Sequence, residues 1–330
     1  MVVVQTETRR NALVLARRLI SIPLFTIVAL VAFTLSPLLL LIGFILSFLP
    51  RLRSLFRATC FVLGFLICEL AGWFVFAWIE LRYRNHPEYI HQNYRLQYWW
   101  ANSLLRLGTR CFSLTFELSG EEALQGRSAI LIARHASIGD NVIPLVYFGM
   151  RRDEPLRYIL KQELTWLPNL DIGGHRLPNL FVDRSGTNTD KQLEDIEALL
   201  TTAGDDESVF IYPEGTRHTP AKRARLKDRR DLAAQLERWP DLLPPRLGGI
   251  CRLLEANTHK DVVFLCHTGF EGASTLGDLA NGQWVGQHIR IHLWRVPYED
   301  IPSDHESFIF EQWDRMQQTL VELRREKASS

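Results

Sequence analysis

Hydrophobic and polar positions divide the chain into an apolar N-terminal part and a mixed remainder. No charged residue occurs from Ile22 to Leu49, and the run from Ala58 to Ile79 contains only one, Glu69. Each run is long enough for a helix that crosses the hydrocarbon core of a bilayer, which needs about 20 residues. The pattern predicts a membrane-anchoring helical hairpin over residues 1–84.

Arginines flank both apolar runs, and they leave the topology of the hairpin open. The outer flanks hold six arginines and the link between the runs holds three. By the positive-inside rule, both flanks and the domain that follows them lie in the cytoplasm. Glu69 and the charged link also fit a re-entrant hairpin that enters one leaflet and returns, because this spares the charges a full crossing. Spanning and re-entrant hairpins are therefore both retained.

Beyond residue 85, short β-type runs alternate with helical ones. The strand-type segments are "SLTFELS", "SAILIAR", "LRYILK", "NLFVDR", "SVFIYP", "DVVFLCH" and "HIRIHLWRV". Helical patterns occupy residues 85–110, 189–204 and 303–327. Such alternation is typical of an α/β domain. We predict a mixed, mostly parallel sheet flanked by helices over residues 85–330.

The stretch from residue 218 to 249 interrupts the alternation. It is basic at its start, contains proline and glycine near its end, and shows no strand pattern. We interpret it as an inserted helix and loop on the domain surface. Two interpretations of the insert stay open, a lid over a site or a solvated arginine-rich helix.

A histidine and an acid follow the strand pattern that ends at Arg134. His135 comes directly after it, and Asp140 lies five residues later. A helix beginning near Ser137 would make Ser137 the N-cap and Asp140 the N3 residue of a capping box. Side chains at a helix start lean towards its N-terminus, so Asp140 can also accept the imidazole N–H of His135 and fix its tautomer. The second interpretation makes His135 a general base for a substrate hydroxyl.

Two further strand ends carry groups that suit a phosphate. The first is the sequence Pro-Glu-Gly-Thr-Arg after the strand pattern at Val209–Tyr212. Gly215 permits a tight turn there, Arg217 offers a bidentate donor, and Glu214 can hold that guanidinium or a substrate hydroxyl. Arg184 ends another strand pattern beside a predicted helix start, which is again a favourable place for a phosphate. The three strand ends together predict an anion site beside His135.

This ordered set of motifs resembles that of the PlsC-type glycerolipid acyltransferases, the lysophosphatidic acid acyltransferase family. The corresponding blocks here are "HASIGD" at 135–140, "FVDR" at 181–184, "YPEGTR" at 212–217 and, loosely, "VVFLCHTG" at 262–269. The hydrophobic hairpin ahead of the first block also fits the family. The resemblance implies the glycerolipid acyltransferase fold.

The resemblance also implies an activity. A fatty acyl group would pass from acyl-CoA or acyl carrier protein to the free hydroxyl of 1-acyl-glycerol 3-phosphate, giving phosphatidic acid. His135 would be the general base and Asp140 its orienting partner. The residues that would bind or enclose the substrate phosphate are Arg184, Glu214, Gly215, Thr216 and Arg217. The scheme implies no metal and no cofactor beyond the acyl donor itself.

Some positions depart from the family pattern. Arg134 precedes the histidine where asparagine is common, the last block lacks its usual proline, and the insert is unusually long. Lys222 and Arg246 in the insert are candidates for additional anion contacts. His218 and His267 are interpreted as structural or surface histidines.

Composition and spacing weigh against several other classes. Lys plus Arg (38) and Asp plus Glu (37) nearly balance, so no overall field favours nucleic acid. The five cysteines form no C-x-x-C pair and are interpreted as reduced thiols. A Ser-His-Asp hydrolase lacks its G-x-S-x-G elbow, and a metal-dependent phosphatase lacks clustered Asp and His ligands.

Two hypotheses about function stay open besides the leading one. The acceptor could be another lysophospholipid, glycerol 3-phosphate or a lyso-aminolipid, or the chain could be a non-catalytic lipid-binding membrane scaffold. Lysophosphatidic acid lies in a bilayer while acyl-CoA is cytosolic, so we expect the site at the cytoplasmic face of a membrane. The preference for arginine over lysine favours a bacterial cell membrane over the endoplasmic reticulum.

Overall fold

The N-terminal part of the chain forms two long helices. The computed structural model describes residues 2–49, 52–182 and 189–329. Helix α1 spans Val2–Leu46, and helix α2 spans Leu55–Tyr83. Both are long and apolar enough to cross a membrane by length and composition. Of the most apolar stretch, only 11% is buried inside the protein in α1 and 22% in α2. Most of these side chains therefore face outwards, unlike those of a core helix.

Helix α2 lies against the rest of the protein near both of its ends. At its start, the hydroxyl of Ser54 donates to the carbonyl oxygen of Ala280. Near its end, the guanidinium of Arg176 donates to the carbonyl oxygen of Phe76 at 2.9 Å. Between them, the buried carboxylate of Glu69 accepts the indole N–H of Trp100 at 2.7 Å. The one acid in the second apolar run is thus hydrogen-bonded inside the protein, as a buried charge requires.

An ion-pair cluster joins α1 to a helix of the domain, α6 (Pro168–Arg176). The fully buried carboxylate of Asp171 accepts from the guanidinium groups of Arg17 and Arg18, the latter at 2.5 Å. Burial alone would raise the pKa of Asp171, but His175 and the two arginines lower it to about 2. Asp171 therefore stays charged and holds α1 on the domain.

Seven strands form one sheet in the order β1-β7-β6-β2-β5-β3-β4. The strands are β1 Thr115–Ser119, β2 Ala129–Ala133, β3 Leu156–Lys161, β4 Leu180–Val182, β5 Ser208–Ile211, β6 Asp261–Thr268 and β7 His288–Val296. Neighbours β6 and β7 are antiparallel, and every other neighbouring pair is parallel. All seven strand-type segments of the sequence form strands, and the predicted mixed, mostly parallel sheet is confirmed.

Helices cover both faces of the sheet. The remaining helices are α3 Tyr89–Phe112, α4 Val142–Pro144, α5 Met150–Arg152, α7 Thr189–Thr201, α8 Pro220–Lys227, α9 Ala233–Arg238, α10 Leu247–Glu255, α11 Leu276–Ala280 and α12 His305–Ser329. Alternate residues of β2 point to opposite faces. Leu131 packs in the cluster under α3, whereas Ile130 packs in the cluster under α7, α10 and α12. The central strands are therefore buried on both sides.

The insert over residues 218–249 has two unlike halves. Its first helix, α8, is described throughout, and each of its residues is at least partly exposed. The second half is anchored, because Trp239 is fully buried and its indole N–H donates to Asp314 at 2.8 Å. Leu242 and Leu243 are also buried. The insert is thus an exposed basic helix on an apolar base.

Candidate active site

The candidate site lies at the carboxyl ends of β2 and β5, which are neighbouring parallel strands. Ile132 of β2 pairs with Ile211 of β5, so the residues that follow the two strands emerge side by side. The ring of His135 stacks on the ring of Tyr212, with centroids 4.2 Å apart and an interplanar angle of 18°. The register of the sheet therefore brings together two motifs that are 77 residues apart, counted from His135 to Tyr212.

His135 and Asp140 are in contact. Nδ1 of His135 lies 3.1 Å from Oδ2 of Asp140, and the side chain of His135 remains 13% exposed. The same carboxylate oxygen accepts the backbone N–H of Ala136 and, at 2.7 Å, that of Ser137. Burial alone would raise the pKa of Asp140, but His267 and His135 hold it far below its usual range. An ionised Asp140 thus orients the imidazole and leaves Nε2 available.

The predicted capping box at Ser137 forms only in part. The carboxylate of Asp140 accepts the backbone N–H of Ser137, as in such a box, but the first helical turn begins at Gly139. The hydroxyl of Ser137 accepts the N–H of Gly139 at 3.3 Å and donates to the carbonyl oxygen of Ala273 at 2.7 Å. This donation directs the hydroxyl to a loop beyond β6, so Ser137 is not arranged as the nucleophile of a triad with His135.

Glu214 connects the Pro-Glu-Gly-Thr-Arg motif to the backbone of His135. Its Oε1 accepts the backbone N–H of His135 at 2.7 Å, and its Oε2 accepts that of Leu243 at 3.1 Å. Burial raises the pKa of Glu214 to about 8, although Arg134 and the two amides oppose the rise. On the other side, the carbonyl oxygen of His135 accepts the N–H of His218 at 2.6 Å. The backbone of the candidate base is therefore fixed at both its N–H and its C=O.

Arg134 and His267 extend the cluster to β6. Arg134 is fully buried and donates to the carbonyl oxygen of His267 and to Oε1 of Glu271, both at 2.7 Å. Nε2 of His267 lies 3.6 Å from Oδ1 of Asp140, and His267 is 1% exposed. A surface position for His267 is therefore wrong. Sequence reasoning missed this contact, and the only signals were the two departures from the family pattern at these positions.

His135 is kept close to neutrality by its surroundings. Burial lowers the pKa of His135 first, Asp140 opposes this, and Arg217 and His267 nearby lower it further. Arg217 donates from its guanidinium to the carbonyl oxygen of Ser274 at 2.7 Å. A neutral imidazole is the form that can accept a proton.

The turn at Glu214–Thr216 also borders a large cavity. Gly215 has φ +66°, and a Cβ there would lie 2.9 Å from Cδ of Arg246, so both the backbone and the close approach of Arg246 require glycine. Nζ of Lys222 donates to Oγ1 of Thr216 at 2.5 Å. Glu214, Gly215 and Thr216 line one side of the cavity, whose volume is about 950 Å³, and Lys222 and Arg246 line another.

The third predicted motif is described only in part. Arg184 lies outside the described residues. The strand ahead of it, β4, ends at Val182, which pairs with Lys161 of β3, and Lys161 lines the same cavity. Among the described residues, no group of three or more His, Cys, Asp or Glu side chains is arranged to hold a metal ion.

A buried histidine–carboxylate pair at strand ends, a basic cavity beside it and an apolar hairpin are the features with which the comparisons can be set side by side. The family model described as Acyltransferase matches residues 115–240, which include the candidate site. Over these 126 of the 330 residues, the chain is similar to the acyltransferase family.

Two known proteins are similar to this chain, one in sequence and one in fold. A protein from Mus musculus named 1-acyl-sn-glycerol-3-phosphate acyltransferase epsilon is 23% identical over 222 residues, which cover 62% of this chain and 60% of the mouse protein. The chain thus matches somewhat less than two thirds of that relative. The crystal structure of PlsC from Thermotoga maritima, a 1-acyl-sn-glycerophosphate acyltransferase, has the same fold, with a TM-score of 0.56. It shares 15% identity, and the match covers 81% of this chain and 96% of that one.

Proposed function

We propose that the protein is a membrane-associated O-acyltransferase that acylates the free hydroxyl of 1-acyl-glycerol 3-phosphate. The observation that carries the proposal is the contact of 3.1 Å between His135 Nδ1 and the buried carboxylate of Asp140, with the ring still partly exposed. The hydroxyl of Ser137, two residues from the histidine, donates to the carbonyl oxygen of Ala273 and not to the ring. The pair therefore suits a hydroxyl that arrives with the substrate.

The reaction follows from the free nitrogen of the ring. Nε2 of His135 takes the proton of the acceptor hydroxyl while the hydroxyl oxygen attacks the carbonyl carbon of an acyl thioester. The tetrahedral intermediate collapses with cleavage of the C–S bond, and the thiolate receives the proton back from the imidazolium. The charge of Asp140 stabilises that imidazolium, and the fixed backbone of His135 limits reorganisation.

The phosphate of the acceptor is assigned to the Pro-Glu-Gly-Thr-Arg turn. Gly215 and Thr216 offer backbone at the cavity edge, and Arg217 supplies a guanidinium on the His135 side of the turn. Glu214 shapes the turn from below through its two backbone amides. Arg184, which lies outside the described residues, is assigned to the same phosphate. Such contacts would position the acceptor hydroxyl beside Nε2 of His135.

The membrane association that we propose is re-entrant. Helix α2 has 29 residues, about 44 Å at 1.5 Å per residue, and its start and end both contact the domain. If α2 crossed a bilayer, the polar domain alongside it would have to enter the hydrocarbon core, which is strongly unfavourable. A hairpin that dips into the cytoplasmic leaflet lets its outward apolar side chains meet lipid while the domain stays in water.

The test is acyl transfer by the full chain in nanodiscs, followed by mass spectrometry of the products. The acceptors are 1-acyl-glycerol 3-phosphate, another lysophospholipid, glycerol 3-phosphate and a lyso-aminolipid, each with acyl-CoA and with acyl carrier protein. His135→Ala should abolish product formation. His259→Ala, at a side chain 41% exposed, is the matched control and should keep it. Undiminished acylation by His135→Ala would remove His135 from the mechanism, and lipid binding without turnover would favour a scaffold.

A further inference from the structure

The basic wall of the cavity exceeds what one phosphate needs. Among the described residues, its lining includes five basic side chains, those of Lys161, Lys222, Arg225, Arg229 and Arg246. The volume of about 950 Å³ falls at the upper end of the ~300–1,000 Å³ range of pockets that hold whole small molecules. The cavity is thus large enough for an organic body with several anionic groups.

Helix α8 directs one face into this cavity. Lys222, Arg225 and Leu226 line it, at the spacing i, i+3 and i+4 that places residues along one side of a helix, and Arg229 lines it from the turn after the helix. The opposite wall includes Arg246, whose aliphatic stem lies over Gly215. Basic groups from separate segments therefore converge on one space.

Acidic groups do little to neutralise this wall. Glu163 forms an ion pair with Lys161 at 2.8 Å. Both carboxyl oxygens of Glu214 accept backbone N–H groups, those of His135 and Leu243, so they are directed at those amides and not at the basic side chains of the wall. Arg229 pairs with Asp231, an exposed contact that contributes little in water. The remaining positive field favours a ligand with more than one negative charge.

Apolar surface lies between the basic groups. Leu226, Leu232 and Pro244 line the same cavity. A concave site with cations around an apolar strip suits a ring system that carries phosphates, and it suits a flat protein surface poorly.

We propose that the insert binds a nucleoside bearing two or more phosphate groups, in a subsite beside the Pro-Glu-Gly-Thr-Arg turn. One source of this ligand rests on the proposed function. If the protein is an acyltransferase, the ligand can be the nucleotide part of a CoA thioester whose acyl group reaches His135. The other source of the same chemistry is a free phosphorylated nucleotide that binds without being consumed.

The experiment measures binding without turnover, by calorimetry on the full chain in phosphatidylcholine nanodiscs. The probe is adenosine 3′,5′-bisphosphate, and glycerol 3-phosphate is the monoester reference. The variant Arg225→Gln/Arg229→Gln removes two exposed charges from the cavity wall. The matched control, Lys227→Gln/Arg230→Gln, removes two exposed charges of the same segment that do not line the cavity.

The bisphosphate should bind the unaltered protein more tightly than glycerol 3-phosphate. Its Kd should rise about tenfold in the cavity variant, as for loss of a charge-assisted contact, and less than about twofold in the control. Arg246→Gln should weaken the bisphosphate to a similar extent. Equal effects of both double variants would overturn the proposal, and so would equally tight, equally sensitive binding of glycerol 3-phosphate.

Kinetics then separate the two sources. A higher KM for acyl-CoA in the cavity variant, at an unchanged KM for the acceptor, identifies the donor as the ligand. Weakened bisphosphate binding at an unchanged KM for acyl-CoA identifies a free nucleotide. If the bisphosphate does not bind and the cavity variant has a higher KM for acyl carrier protein, the nucleotide subsite is wrong and the cavity is a docking surface for that protein. Absence of acyl transfer with intact, variant-sensitive bisphosphate binding would contradict the proposed function and leave the subsite standing.

Discussion

The two sides of the Pro-Glu-Gly-Thr-Arg turn are built in opposite ways. On one side, Asp140, Glu214 and His267 are at most 2% exposed and lie against strand ends of the sheet. On the other side, Arg225 extends from the exposed helix α8 of the insert, and Arg229 extends from the exposed turn after it. The first group is fixed by backbone amides and packing, whereas the second consists of long side chains in contact with water.

This difference separates chemistry from recognition. Groups that are already oriented need no reorganisation when charge develops, so changes there should lower kcat. Exposed arginines lose side-chain entropy when they bind and are screened by salt, so changes there should raise KM or Kd. Substitutions on the buried side test this division most directly.

The largest effect on the buried side is expected for Asp140→Asn. The amide can still accept from the neighbouring N–H groups, but it carries no charge to stabilise the imidazolium and no longer selects the tautomer of His135. We expect kcat to fall by about 10² to 10⁴, with KM for the acceptor changed much less. Steady-state kinetics, with thermal unfolding to check the fold, measure this. A kcat within threefold of that of the unaltered protein would show that Asp140 only holds the backbone at Ala136 and Ser137 and has no part in the reaction.

A smaller effect is expected for His267→Phe. Phenylalanine places an aromatic ring at the same position, but it has no ring nitrogen to contact Oδ1 of Asp140, which lies 3.6 Å from Nε2 of His267. We expect kcat to fall about tenfold, which corresponds to about 1.4 kcal/mol, and the acid limb of the pH profile to move to higher pH, because His267 lowers the pKa of His135. His259→Phe provides the control at an exposed position. Unaltered kcat and pH profile in His267→Phe would leave His267 a packing residue.

The smallest effect is a shift in pH dependence. A general base must be neutral, so kcat should rise with pH through the pKa of His135 and then stay level. Burial and Arg217 place that pKa below its ordinary value of 6.5, so the plateau should already be reached near pH 7. In Arg217→Gln the acid limb should move to higher pH, because a positive charge near the ring has been removed, while Lys227→Gln should leave it in place. An acid limb that stays fixed in Arg217→Gln would mean that the limb reports another group.

The strands could be predicted from the sequence, but some contacts between them could not. Each strand is a local apolar run, and the first strand differs only because Ser113 ends α3 in a left-handed conformation with φ 57°, so β1 begins at Thr115. The contact of His267 with Asp140 depends on the pairing of β2 with β6, where Ala133 lies opposite Leu265. No local pattern encodes a register between segments so far apart.

The candidate site divides in the same way. The spacing of His135 and Asp140 predicts their contact because a helix start directs the carboxylate backwards. The capping box forms only in part, because the first helical turn begins at Gly139, so the hydroxyl of Ser137 accepts the N–H of Gly139 instead of that of Asp140. Stacking on Tyr212 follows from the pairing of β2 with β5 and is likewise a property of the assembled sheet.

The ion pairs of Asp171 with Arg17 and Arg18 fix the depth at which the protein meets lipid. These arginines lie near the start of the apolar stretch of α1, so the clamp joins the domain to α1 at the boundary between charged and apolar sequence. In the re-entrant arrangement that we propose, the sheet edge that carries His135 is thereby held at a constant height above the acyl chains. A lysolipid could then present its hydroxyl to the imidazole while its tail stays in the leaflet, without being lifted out into water.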